Sequence, residues 1–184
     1  MSRRIVASMY VSLDGYIDEP GEWSLPFFSD RAGEFKSEEL FKSDALLLGR
    51  LTYEGFARAW PSMTELGEFA HKMNSMPKYV ASRTLTQGDA TWNATIMTGD
   101  VVDTVTELKL TDGGDLLIGG SGQLVDTLTN AGLIDEYKLM VHPIILGDGH
   151  KRLFASAQRV TLEKTAVTNL PNGVTVQHYV PLKG

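Results

Sequence analysis

Cysteine is absent from the 184 residues, which excludes disulfides, thiolate nucleophiles and cysteine-ligated zinc or iron–sulfur centres together. Long apolar runs are missing too. No stretch approaches the ~18 residues that span a bilayer. The apolar residues after the basic start are interrupted by Ser8, Ser12 and Asp14, so a first strand is expected there rather than a secretion signal, and a cytoplasmic protein follows. A basic excess is also lacking: 17 Lys and Arg face 23 Asp and Glu, a net charge of -6. Without a basic face to release counterions, neither nucleic acid nor membrane is expected as a partner, and any positive site must be local. No serine has the flanks of a nucleophile elbow, which leaves a hydrolase without support. His71, His142, His150 and His178 have no second ligand at a metal-like spacing, so no metal is expected, and His142 before Pro143 reads as a turn residue.

What is present is an alternation of short apolar runs and amphipathic segments. The length suits one domain over residues 1–184. Residues 5–11 are β-branched and apolar, a central strand, and residues 12–15 turn out of it. A surface helix is expected near residues 30–42, with further helices near 52–60, 66–74, 101–110 and 123–130. Strands are expected at 45–48, 77–81, 92–98 and 116–118. Late runs at 134–141, 160–167 and 174–180 alternate apolar and polar, with Pro171-Asn172-Gly173 as a turn, which predicts an antiparallel end to a mainly parallel sheet.

Two strand ends carry the chemical signal. Ala45 to Leu48 read as a strand buried on both faces, Gly49 permits a tight turn, and a helix capped near Thr52 follows with Arg50 at the junction. Backbone N–H groups at a helix start beside an arginine suit a phosphate or pyrophosphate. Read by itself, the same pattern is only a strand end, a capped helix and a surface arginine. Gly119, Gly120, Ser121 and Gly122 repeat the design, although Val125 stands where the dinucleotide fingerprint would have its third glycine. Ser82 and Arg83 close another strand and either grip a ribose phosphate or form a solvated loop. Asp14 either orients a substrate or belongs to an ordinary Asp-Gly turn. The aromatics Trp23, Phe27, Phe28, Tyr53, Phe56 and Trp60 read mostly as core, with Trp23 in a loop suited to an apolar substrate pocket.

In order and spacing, Val11 to Ile17, Asp44 to Glu54, Ile118 to Leu124, Asp135-Glu136, the segment from His142 to Gly149, and Leu153-Phe154 resemble the dihydrofolate reductase-like superfamily. The branch is the reductase domain at the C-terminal end of bifunctional riboflavin-biosynthesis proteins, and the resemblance runs from Ile5 to Val180. It implies an α/β fold with a central mixed, mostly parallel sheet flanked by helices, often a homodimer, that binds NADPH and passes hydride to a small heterocyclic or carbonyl compound.

Carried across by motif, Gly49, Arg50 and Thr52 would hold the cofactor diphosphate on one side and Gly119, Gly120, Ser121, Gly122, Gln123 and Leu124 on the other. Ser82 and Arg83 would meet the 2′-phosphate, and Ala7, Gly15 and Ile17 the nicotinamide. Asp14 and Tyr53 are the catalytic candidates. The chain departs from the riboflavin branch in having Ile118 before the paired glycines, where an acid is common, and no arginine pattern between Pro20 and Lys42 for a ribose phosphate. Dihydrofolate reductases place an acid on the first helix, and Glu34, Glu38 and Glu39 lie in that region. The competing expectation is a ligand-binding or regulatory module on the same fold without turnover; a plain phosphate-binding α/β protein is a third.

Overall fold

The computed structural model describes residues 2–147 and 151–182, and the first strand sits at its centre. β1 (Ile5–Ser12) is nearly all buried because side chains from both of its faces are covered. Ile5, Ala7, Met9 and Val11 enter one core cluster, while Val6 enters another on the opposite face. After the short α1 (Pro20–Trp23), α2 (Asp30–Lys42) starts at Ser29, whose side chain accepts the Ala32 N–H, and buries Ala32, Phe35, Glu39 and Leu40. Phe41, in the same run, is left half exposed.

β2 (Ser43–Gly49), α3 (Arg50–Ala59), α4 (Gly67–Ser75), β3 (Lys78–Ala81), β4 (Ala94–Met97), α5 (Val101–Leu110), β5 (Asp115–Ile118) and α6 (Gly122–Asn130) continue the alternation. β6 (Glu136–His142), β7 (Leu162–Asn169) and β8 (Thr175–Pro181) complete one eight-stranded sheet in the order β4-β3-β2-β5-β1-β6-β8-β7. The helices divide between its faces. Leu40 of α2, Tyr53 of α3 and Met73 of α4 pack with Leu46, Leu48 and Leu117, whereas Val105 of α5 and Leu124, Val125 and Leu128 of α6 pack with Leu47, Leu116 and Ile118. Leu47, wholly enclosed, is a site where truncation to alanine costs about 2–5 kcal/mol.

One expectation is corrected: α3 is not capped by Thr52, since its cap is Gly49 and no side chain serves there. The late strands pair antiparallel as expected, β8 lying between β6 and β7 and opposing both, while β6 joins them to the parallel part of the sheet by running parallel to β1 from Val6 to Ser12. The consequence is that β1, β2, β3 and β5 all point their carboxyl ends toward one edge of the sheet. Among the described residues, no helix is long and apolar enough to cross a membrane, and no group of His, Asp and Glu is gathered to hold a metal.

Candidate functional site

β2 and β5 are neighbours in register, Leu47 beside Ile118, so the turns that follow them leave the sheet side by side. They interlock. A Cβ added to Gly49 would stand 2.1 Å from Ser121 Oγ, and one on Gly120 would stand 2.8 Å from the Thr52 methyl. Side chains larger than hydrogen therefore cannot occupy either position without moving the opposite turn. Gly120 has φ 152 and Ser121 φ 72, a left-handed conformation that costs a non-glycine residue on the order of 1–3 kcal/mol. Part of that cost is offset by the Ser121 hydroxyl, which caps α6 through the Leu124 N–H at 3.4 Å.

The result is two helix amino ends meeting over adjacent strands. The first N–H groups of α3 have no side-chain partner, and an anion placed between the turns would meet both helix dipoles. Arg50 lies alongside, bonded at 3.2 Å to Glu54 one turn on, with both side chains well exposed. Such a surface pair is worth about 0–1 kcal/mol, so the guanidinium is free to exchange partners at little cost. Gly49 pairs with Ala81, which puts Ser82 and Arg83 at the same edge. The Ser82 hydroxyl accepts the Thr84 and Leu85 N–H groups, and Arg83 is exposed.

On the other flank Ile17 reaches across to Gly122, where an added Cβ would come 2.7 Å from its Cδ1. Gly15 turns with φ 91 and its carbonyl accepts the Leu153 N–H, and Gln123, next to Gly122 on α6, is exposed. Structure thus gathers Gly15, Ile17, Gly49, Arg50, Thr52, Ser82, Arg83 and residues 119–123 along one edge. Two expected contacts fall away. Ala7 is wholly enclosed beside Ile118, and the Leu124 side chain is buried in the same cluster, so both contribute packing rather than a ligand surface.

Neither catalytic candidate is placed to act. Tyr53 is buried in the cluster under α3, and its hydroxyl accepts the Thr91 N–H at 2.8 Å and faces the Thr91 carbonyl at 3.1 Å. It is a pin between α3 and the loop before β4. Asp14 receives Leu146 N–H on one oxygen and Gly147 N–H on the other, with the Ser12 hydroxyl at 2.7 Å. Against a desolvation that works the other way, those donors hold its carboxyl down to about 2, so it is a tether and not a proton donor near neutrality. Asp148, Gly149 and His150 of the adjoining glycine-rich segment lie outside the described residues.

Beyond β1's midpoint a second feature appears. Tyr10 from β1 and Met140 and His142 from β6 meet Phe27, Phe28 and Leu25 around a cavity of about 220 Å³. His142 is a buried strand residue rather than a turn residue. Its ring stacks on Tyr10 at 5.3 Å, Trp23 and Phe27 meet it edge-on, and its Nδ1 lies 2.9 Å from the Met140 carbonyl. Burial pushes the imidazole below its ordinary pKa, against the Met140 and Val11 carbonyls, which favour the charged ring.

Of the three glutamates on α2, Glu34 and Glu38 face solvent with Arg31, and Glu39 is the buried one. It bonds to the Ser8 hydroxyl at 2.8 Å and to Lys36 at 2.7 Å, with Lys138 at 3.5 Å on its other oxygen. Spacing alone did not separate the three. The signal available was the position of Glu39 beside Phe35 and Leu40 on the apolar side of the helix.

A mostly parallel sheet with glycine turns at its carboxyl edge and helices on both faces is a reductase-type α/β fold, similar to dihydrofolate reductase. The chain belongs to the RibD C-terminal domain family, whose model matches residues 3–176. It is 30% identical over 179 residues to the uncharacterized protein YyaP of Bacillus subtilis (strain 168), covering 94% of this chain and 92% of that protein. The crystal structure of a putative riboflavin biosynthesis protein from Shewanella sp. PV-4 superposes with a TM-score of 0.74 at 21% identity, covering 100% of both chains. Dihydrofolate reductase from Enterococcus faecalis, complexed with NADP(H) and RAB-propyl, gives 0.67 at 16% identity, again over 100% of each chain.

Proposed function

We propose that the protein is an NADPH-dependent reductase of a small molecule. The observation that carries this reading is the interlock of the two glycine turns, where hydrogen atoms stand in place of side chains between two helix amino ends. That junction suits a diphosphate: the amino ends of α3 and α6 meet there, the Thr52 and Ser121 hydroxyls lie close by, and Arg50 is bonded to Glu54 one turn on at the exposed surface. Ser82 and Arg83, beside Gly49 in the sheet, are the residues for a 2′-phosphate, which selects NADPH over NADH. Gly15, Ile17 and Gln123 line the far side of the same edge. When bound, the cofactor supplies hydride from its reduced nicotinamide ring.

The chain's own part is orientation and exclusion of water, since Asp14 is committed to Leu146 and Gly147 and Tyr53 to Thr91. The accompanying proton then comes from solvent. Titration with NADPH and NADH, followed by nicotinamide fluorescence, tests the reading; failure of both to bind overturns it. Arg83→Ala is expected to weaken NADPH by about tenfold and leave NADH within about twofold, the loss of one charge-assisted phosphate contact.

A second reading, a nucleotide-binding module without turnover, draws support from the same observation that Asp14 and Glu39 are both engaged. Binding of NADPH with no oxidation across pterin, pyrimidine and carbonyl compounds would favour it.

A further inference from the structure

We propose that Asn172, in the turn between β7 and β8, is a self-modifying site: its side-chain amide is lost to give aspartate or isoaspartate, and the change releases the Phe27-Phe28 loop from that turn. Two independent observations carry it. One is the residue that follows Asn172, and the other is the bond its amide makes.

The chemistry needs nothing but water. The backbone nitrogen of the following residue attacks the asparagine Cγ, closing a five-membered succinimide; the Cγ–Nδ2 bond breaks, and ammonia leaves with the proton of the attacking amide. Water then opens the ring. Cleavage at Cγ restores the main chain with an aspartate side chain, whereas cleavage at the main-chain carbonyl diverts the chain through Cγ as isoaspartate. Each event consumes one water and releases one ammonia.

Among the five asparagines of the chain, Asn172 is the one followed by glycine. Gly173 has no side chain to crowd the attacking nitrogen, and its backbone has the widest freedom to bring that nitrogen onto Cγ. At the other four the attacking amide is tied. The Ala94 N–H donates to the Thr91 carbonyl at 3.1 Å, Ala131 to Thr127 at 3.1 Å and Leu170 to Val174 at 2.8 Å, while Ser75 lies inside α4. Asn172 and Gly173 are both exposed, at φ 62 and φ 80, so water reaches the ring that would form between them.

The consequence follows from the second observation. Asn172 Nδ2 donates to the Phe28 carbonyl at 3.2 Å, a bond from the turn to a residue 144 positions earlier. Phe28, with Leu25 and Phe27, walls the aromatic cavity. An ionised aspartate has only acceptor oxygens, so the same contact would set a carboxylate against a carbonyl oxygen and turn attraction into repulsion. The hairpin itself stays anchored, because Leu170 and Val174 on either side of the turn are buried with Ala32 and Phe35. Only the tip and the loop it holds are set free.

Ageing the whole folded chain at mildly alkaline pH, with tandem mass spectrometry of its peptides and enzymatic methylation of isoaspartate as readouts, tests the site. Residue 172 is expected to convert first, and faster as pH rises, because the attacking nitrogen must lose its proton. Asn172→Gln, which would have to close a larger ring, should stay unmodified. Amide exchange at Phe27 and Phe28 should rise about fivefold in the aged chain and in fresh Asn172→Asp, the equivalent of one lost hydrogen bond, with circular dichroism unchanged. If residue 172 is still asparagine in the folded chain when a urea-unfolded sample has converted, or if another asparagine converts ahead of it, the proposal is overturned. Conversion that leaves exchange at Phe27 and Phe28 unaltered, in the aged chain or in Asn172→Asp, overturns the release of the loop.

Discussion

The glycine junction and the aromatic pocket are built on opposite principles. At the junction, residues 49 and 119–122 present backbone, and what matters is the absence of side chains, since a single Cβ would collide with Ser121 or Thr52. In the pocket the walls are side chains from β1, β6 and the segment around α1, and the backbone only sets their spacing. A site made of backbone tolerates no enlargement and reads a ligand through its charge. One made of rings tolerates reshaping and reads a ligand through its flat surface. The difference means that single substitutions reshape the pocket far more readily than the junction.

The largest expected effect comes from breaking the junction alone. Gly120→Val drives a branched side chain into Thr52 at a φ of 152, and NADPH affinity should fall on the order of a hundredfold while circular dichroism shows the fold retained. Undiminished NADPH binding in this variant would show that the junction does not hold the cofactor. Tyr53→Phe comes second. Removing the hydroxyl strands the Thr91 N–H, with an expected loss of about 1–3 kcal/mol in urea denaturation and no change in nicotinamide binding.

Asp14→Asn probes the link between the regions, because it removes one of the two acceptors that hold Leu146 and Gly147; faster amide exchange at those residues is expected. Its carboxyl is lowered in the fold, so the stabilisation is complete above the ordinary 3.8 and is lost as pH falls toward about 2. The acid arm of a stability profile should flatten in the variant.

Lys78 belongs to neither region and serves as the control. Burial without a carboxylate partner, its ammonium lying 3.9 Å from the Trp92 ring centre, lowers it to about 8. The unfolded chain then holds the proton more tightly, so stability should rise as pH climbs from about 8 toward 10.5 and lose that rise in Lys78→Met. Ligand affinities should not respond.

Much of the architecture was legible because glycine, proline and apolar periodicity are local signals. Asp30–Lys42 and Val101–Leu110 are helices at the expected bounds, and the sheet is mainly parallel. The glycine junction was legible for the same reason. What escaped depends on partners distant in the chain. Tyr53 looked available until Thr91, 38 residues on, took its hydroxyl. Asp14 looked reactive until residues 146 and 147 met both its oxygens. The pocket draws on Tyr10, Phe27, Met140 and Val174, and no spacing rule joins four such positions.

Placing β1 between β5 and β6 has a consequence for how the molecule is made. Ile5 pairs with Leu116 and Val6 with Glu136, so this almost wholly buried strand emerges from the ribosome more than a hundred residues before either neighbour exists. Contact order is correspondingly high, and closure of the sheet is expected to be slow. Until then both edges of β1 stay unpaired on the nascent chain, the kind of open edge that favours association with other chains.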